Sequence, residues 1–231
     1  MKKTLITLAA VSAAALAPTV ALADVSANLA LTSKYKFRGQ DQSDPEKSML
    51  PAVQGGFDWN SGGFYLGNWN SSVGFLGGTE MDFYGGYSGE AGDLSYDVGV
   101  LYYYYPGTDS SANTTELYGS LGWGPLTAKY SRTVSSKWFG FDGGKGTGYF
   151  ELNAEVEVAT GITLIGHVGT TRFSSGAKNA GAVNYSDYKL GASFDLGSGF
   201  AFEGAYVGAS KKSDWGDVNK GRVVLTLSKS L

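Results

Sequence analysis

From Val25 to Leu231 the chain alternates between apolar and polar side chains in runs of nine to thirteen residues. The clearest run is Leu94–Tyr105, in which Leu94, Tyr96, Val98, Val100, Tyr102 and Tyr104 hold the even positions and Ser95, Asp97 and Gly99 fall between them. An extended strand turns this pattern into one greasy face and one wettable face, whereas a helix would scatter it around its axis. The lengths are close to the roughly 9–11 residues needed to cross a bilayer at a tilt, and the aromatics gather at one end, as they do at a membrane interface.

Twelve such segments are predicted, at 25–37, 50–60, 63–71, 80–88, 94–105, 114–123, 126–134, 148–158, 162–172, 185–195, 200–210 and 221–231. Their connections alternate in length. Residues 61–62, 89–93, 124–125, 159–161 and 196–199 are short and rich in Gly, Pro or Ser, whereas 38–49, 72–79, 106–113, 135–147, 173–184 and 211–220 are longer and polar. An even strand count with tight turns on one side and long loops on the other implies an all-β, transmembrane antiparallel up-and-down β-barrel. A secreted β-sandwich would share the alternation but does not require the loop rule.

The faces follow from the two-residue period. In 148–158, Phe150, Leu152, Ala154, Val156 and Val158 are expected on lipid, with Glu151, Asn153, Glu155 and Glu157 inside. Likewise Val25, Leu29, Leu31, Tyr35 and Phe37 oppose Asn28, Thr32, Lys34 and Lys36, and Tyr188, Leu190, Ala192 and Phe194 oppose Asp187, Lys189, Ser193 and Asp195. Segment 63–71 has no clean phase, because either choice turns something polar toward lipid.

The first residues stand apart. Lys2 and Lys3, the apolar run Leu5–Leu16 and the small-residue site Ala21-Leu22-Ala23 read as a secretory signal peptide over residues 1–23, leaving a barrel domain at 24–231. Its loss would shift the formal charge from −3 to −5. Without a single cysteine the exported chain has no disulfide framework, so backbone pairing and burial must stabilise it, and a closed barrel provides both. No strongly basic balance points to nucleic acid as a partner. The expected surroundings are bacterial outer-membrane lipid and lipopolysaccharide, with the oligomeric state left open.

Thr32-Ser33-Lys34-Tyr35-Lys36-Phe37-Arg38-Gly39, Pro51–Asp58, Gly63–Trp69, Tyr96–Val100, Tyr103–Gly107, Asp187–Gly191 and Ser228-Lys229-Ser230 together resemble the TorF-family porins of proteobacteria. The resemblance implies an outer-membrane barrel that forms a pore. Gln40-Asp41 and the terminal Leu231 depart from the family pattern, which favours an apolar residue followed by Ser at the first position and an aromatic at the second.

Candidate chemistry centres on inward charge. Asp58, Glu80, Asp82, Asp97, Glu116, Glu151, Glu155, Glu157, Asp187, Asp195 and Glu203 are expected in the lumen against Lys34, Lys36, Lys129 and Lys189. Carboxylates in a narrow, low-dielectric pore concentrate cations, which implies a cation-preferring porin-like channel for passive diffusion of small hydrophilic solutes, not an enzyme. Two alternatives remain: an outer-membrane lipid hydrolase using His167, the one histidine, and a non-conducting structural or adhesive barrel. No nucleophile motif supports the first.

No cofactor or metal is expected. One His and no Cys rule out ordinary zinc ligation. The acidic loops Asp41–Glu46 and Asp214–Asn219 lack the spacing of a helix–loop–helix calcium site and read as solvated loops. Gly143–Gly148 fails as a phosphate loop, since Gly146 follows Lys145 and Phe139 stands where the first Gly belongs. With Trp138, Phe139 and Phe141 beside it, the same loop is instead a candidate constriction.

Overall fold

The computed structural model describes residues 24–75 and 78–231; the signal peptide assigned to residues 1–23 lies outside them. Twelve antiparallel strands close into one barrel. In chain order the strands are β1 (Asp24–Thr32), β2 (Lys36–Phe37), β3 (Gln40–Asp41), β4 (Ala52–Ser61), β5 (Phe64–Ser72), β6 (Thr79–Ala91), β7 (Leu94–Tyr104), β8 (Thr114–Trp123), β9 (Leu126–Thr133), β10 (Lys137–Trp138), β11 (Phe141–Asp142), β12 (Gly148–Ala159), β13 (Ile162–Arg172), β14 (Tyr185–Gly197), β15 (Phe200–Ala209) and β16 (Arg222–Ser230). Two short helices, α1 (Ser175–Asn179) and α2 (Lys212–Trp215), sit in long loops. Pairs β2–β3 and β10–β11 are separate two-stranded hairpins; the other strands form the wall.

Each wall strand pairs with its neighbour in sequence, and β1 pairs with β16 in register Leu31↔Leu227 to complete the ring. Closure removes every edge of the wall sheet, so backbone groups at bilayer depth are satisfied within the wall. The tight turns fall at one end. Gly62 and Gly63, both at positive φ, make the β4–β5 turn, a backbone that a side chain would strain.

The outer face is apolar. Leu190 is 72% exposed, and Val25, Phe57, Leu66, Val98, Leu121, Val168 and Val223 are exposed beside it around the ring. Aromatics cluster at the rims, with Phe64 edge-on to Tyr87 at 4.9 Å near the tight turns and Tyr102 beside Tyr104 near the long loops. This arrangement matches a lipid-facing band with interfacial girdles. The ambiguous strand β5 resolves with Phe64 and Leu66 outward and Trp69 and Ser71 buried inward. Its outward Asn70 and Asn68 bond to each other at 2.6 Å and to strand carbonyls, which lowers the cost of their position.

The first strand ends early. Val25–Phe37 was expected to run as one span, but the wall strand stops at Thr32. Tyr35 and Phe37 consequently do not face lipid: Tyr35 is buried, and both pack inside the ring.

Candidate functional site in the barrel lumen

After Thr32 the chain turns into the barrel. Ser33 N–H donates to Leu225 O of the wall, and Lys34 bridges to Leu50, which joins the two ends of the inserted segment to each other. Between them β2 and β3 form a minimal hairpin with Arg38 (φ 48°) and Gly39 (φ 74°) at its turn. Two left-handed residues in succession are the geometry of a tight hairpin whose twist suits its strands. The tip presses on the β14–β15 wall: a Cβ on Gly39 would lie 2.6 Å from both Asp187 Cβ and Gly208 O.

Ionic and aromatic contacts hold this hairpin across the lumen. Lys34 Nζ lies 2.9 Å from Asp41 Oδ2 with both side chains fully buried, and it also donates to the Asp44 and Lys47 carbonyls at 2.6 Å each. Arg38 reaches Glu116 on β8 with two parallel hydrogen bonds of 3.0 and 2.6 Å. Its guanidinium also stacks over the Tyr149 ring at 4.1 Å. Burial alone would disfavour the Arg38 charge, but Glu116 reverses that and holds its pKa well above the usual value.

Lys36 donates to the Gly39, Val218 and Lys220 carbonyls. Its pKa is lowered to about 8, chiefly by burial and further by Lys34 and Arg222, against the pull of Asp41. Gln40 Nε2 donates to Asn219 Oδ1 at 2.8 Å, and Phe37 packs edge-on against Tyr103 and Phe139, each at 5.6 Å. Lys34 and Lys36 therefore stand on an inserted hairpin and not on a wall strand, a correction to the expected phase of the first span.

The other sequence-predicted residues sit as follows. Glu80 accepts from Tyr35 at 2.7 Å and Tyr105 at 2.5 Å, and Asp58 accepts from Tyr84 at 2.5 Å. Asp97 accepts from Tyr65, whose hydroxyl also meets that of Tyr118. Lys129 lies 4.0 Å over the Tyr118 ring, and Lys189 pairs with Glu203 at 2.6 Å. Asp82 is buried, and its Oδ1 has no hydrogen-bond partner among the described residues. Glu155 is partly buried, whereas Glu157 and Asp195 are exposed toward the tight-turn end.

His167 is held between two carboxyl-bearing strands. Its Nδ1 meets Asn153 Oδ1 at 2.7 Å, and its Nε2 meets Asp187 Oδ1 at 2.7 Å and the Tyr149 hydroxyl at 3.1 Å. Glu151, which accepts from Asn153, lies 3.6 Å from Nδ1. Both ring nitrogens are thus occupied by polar groups of the wall, none of them a serine or threonine hydroxyl.

The long loops roof this space. Trp138 packs edge-on against Phe173 at 4.7 Å, and Phe139 reaches down to Tyr103 at 4.8 Å, so the aromatic loop 135–147 does fold inward. In the acidic loops Asp41 is taken by Lys34, while Asp217 lies between Lys212 at 3.3 Å and Lys220 at 3.5 Å. Among the described residues no three His, Cys, Asp or Glu gather as a metal site. Beneath the hairpin a cavity of about 90 Å³ remains, lined by Lys36, Arg38, Trp69, Asp82, Tyr103, Lys129, Tyr149 and Glu151 among others.

Arg38, Asp41, Tyr35, Trp69, Tyr103 and Tyr149 are the site residues that alternation missed. Their signal was the Arg38-Gly39 pair, a hairpin turn flanked by charges inside a segment read as strand then loop.

Among solved structures, a membrane protein from an in-meso crystallisation study shares the fold with a TM-score of 0.57 at 7% identity, over 90% of this chain and 83% of that one. The NanC porin superposes with a TM-score of 0.53 at 8% identity, over 89% and 98%. OprD of Pseudomonas aeruginosa gives 0.42 at 14% identity, over 81% of this chain and 61% of its own length, a likeness too distant to carry an argument. At such identities the likeness shows the shared barrel alone. No curated protein sequence matches significantly. Residues 17–230 match a family model described as a bacterial protein of unknown function (Gcw_chp).

Proposed function

This chain belongs to the bacterial Gcw_chp family, whose function is unknown, and from that premise we propose that it is an outer-membrane channel for passive diffusion of small hydrophilic solutes, narrowed by its first loop. The observation that carries this reading is the polarity of the interior: an apolar belt meets lipid while charged side chains are spent on the inside of the ring. The TorF-family resemblance supports the same reading.

Cation preference follows from the interior pairing. Asp41, Glu116 and Glu203 are neutralised by Lys34, Arg38 and Lys189, whereas Asp58, Glu80, Asp82, Asp97, Glu155 and Glu157 have no basic side chain within salt-bridge distance among the described residues. The residual field is acidic, which raises the local concentration of cations. No covalent step is involved, and His167 serves as a hydrogen-bonded lumen residue. Lipid and lipopolysaccharide surround the belt, with residues 1–23 directing export.

One observation favours a second state. The hairpin and the Phe139 loop pack against each other and against the wall inside the ring, which narrows the channel while Arg38 and Glu116 are paired. Single-channel conductance of the folded protein in a planar bilayer, under a salt gradient, tests both statements. Discrete openings with a cation-selective reversal potential support the channel. Silence from the parent protein and from Arg38→Ala alike overturns it in favour of a structural barrel.

A further inference from the structure

The chamber beside the hairpin holds one carboxylate, Asp82, that no basic side chain among the described residues pairs with. Of the charged groups lining it, Arg38 is paired with Glu116, and Lys36 is bonded to three carbonyls. Lys129 and Glu151 stand directly opposite each other on β9 and β12. Asp82 has no such counterpart: it is 1% exposed, and its buried Oδ1 meets no donor. Two residues away on the same face, Glu80 adds a second negative charge whose oxygens are already taken by Tyr35 and Tyr105. A carboxylate kept dry and unbonded is costly, and a positive occupant beside it would relieve that cost.

The neighbours of Asp82 say what kind. On β5 its register partner is Trp69, and on β7 it is Tyr103, so one aromatic ring stands on each side of the carboxylate across the sheet. Directly opposed side chains lie about 4.5–5.5 Å apart at Cβ, close enough for both rings to touch what the carboxylate binds. One carboxylate between aromatic faces suits an organic ammonium, which takes a charge-assisted hydrogen bond at its head and cation–π contact along its flank. A divalent metal would need about six oxygens or more, and among the described residues no three His, Cys, Asp or Glu gather to begin such a set.

We propose that this chamber is a binding subsite for a small organic ammonium cation, with Asp82 pairing the ammonium and Trp69 and Tyr103 flanking it. The proposal deepens the channel reading by naming the solute class, and it is tested by binding, which does not require conduction.

The test is calorimetric titration of the folded full-length protein in detergent with n-butylammonium, using 1-butanol and butyrate as neutral and anionic controls. Saturable binding of the cation alone is expected, and Asp82→Asn should weaken it about tenfold or more, the loss of one charge-assisted hydrogen bond. Equal affinity in Asp82→Asn, or no saturable binding by the parent, overturns the proposal. Competition by potassium at equal concentration also overturns it, since the site would then read charge alone. Trp69→Leu keeps the carboxylate and gives a second reading if Asp82→Asn does not fold: weakened binding supports the site and unchanged binding overturns it. A barrel that binds but never conducts removes the channel and leaves the site; one that conducts without saturable binding removes the site alone.

Discussion

Substituting Arg38→Ala should open the channel. The guanidinium makes two hydrogen bonds of 3.0 and 2.6 Å to Glu116, with side-chain exposures of only 7% and 2%. Removing one member of a buried pair leaves the other charge stranded, at a cost of about 3–5 kcal/mol. Glu116 retains only long contacts, 3.4 Å from Tyr103 and 3.5 Å from Thr133, which offset little of it. The wall ladder does not involve Arg38, so the strain is relieved by the hairpin leaving and water entering around Glu116. A bias of about 3 kcal/mol shifts the docking equilibrium by about 150-fold, since each 1.4 kcal/mol is tenfold. Planar-bilayer recordings should then show a higher open probability or a larger unitary conductance, with barrel thermal stability near that of the parent. Arg38→Lys, which keeps the charge but loses the fork, should fall between the two. Unchanged conductance combined with a lower barrel melting temperature would refute the reasoning, because the pair would then brace the wall rather than hold a plug.

Three further outcomes follow from the same geometry. Gly39→Ala places a Cβ 2.6 Å from Asp187 Cβ and Gly208 O at a φ of +74°, so it should displace the hairpin tip and raise conductance in the manner of Arg38→Ala while the assembled fraction on gels stays constant. Leu152→Arg puts a charge on the lipid face near the middle of β12, where it costs about 2–4 kcal/mol, and should reduce the folded, heat-modifiable fraction. Lys36 gives a pH dependence: its pKa is lowered to about 8 in the docked hairpin, against 10.5 for the free side chain. The undocked state holds the proton more tightly, so docking is weakest below pH 8 and strengthens as pH rises toward 10.5. Open-state flicker should accordingly decline from pH 7 to pH 10, and Lys36→Met should abolish that trend.

Alternation along the chain was enough to place the twelve wall strands, because lipid on one side and polar side chains on the other impose a two-residue period on each of them. Phe150, Leu152 and Val156 face outward as that period requires, and the short and long connections lie at opposite ends of the ring. Two limits were local. Strand β5 carries Asn68 and Asn70 outward, and only their mutual hydrogen bond and their bonds to neighbouring carbonyls explain why that phase is tolerated. The first span keeps alternating past Thr32 although the wall does not, since a hairpin inserted into the lumen has the same two-residue period as a strand in the wall.

What fills the barrel was decided by tertiary structure. Tyr35 and Phe37 look like lipid-facing residues in a linear pattern, yet they pack inside because the Arg38-Gly39 turn folds the segment back across the lumen. Arg38 finds Glu116 at a separation of 78 positions and Gln40 finds Asn219 at 179, pairings that no local spacing encodes. The sequence by itself determined the barrel and the excess of inward acids, since both follow from the contrast between lipid and water at each residue. Which acids are neutralised, and that Asp82 is left between two aromatic rings with no donor to its Oδ1 among the described residues, depends on which strands closure brings side by side.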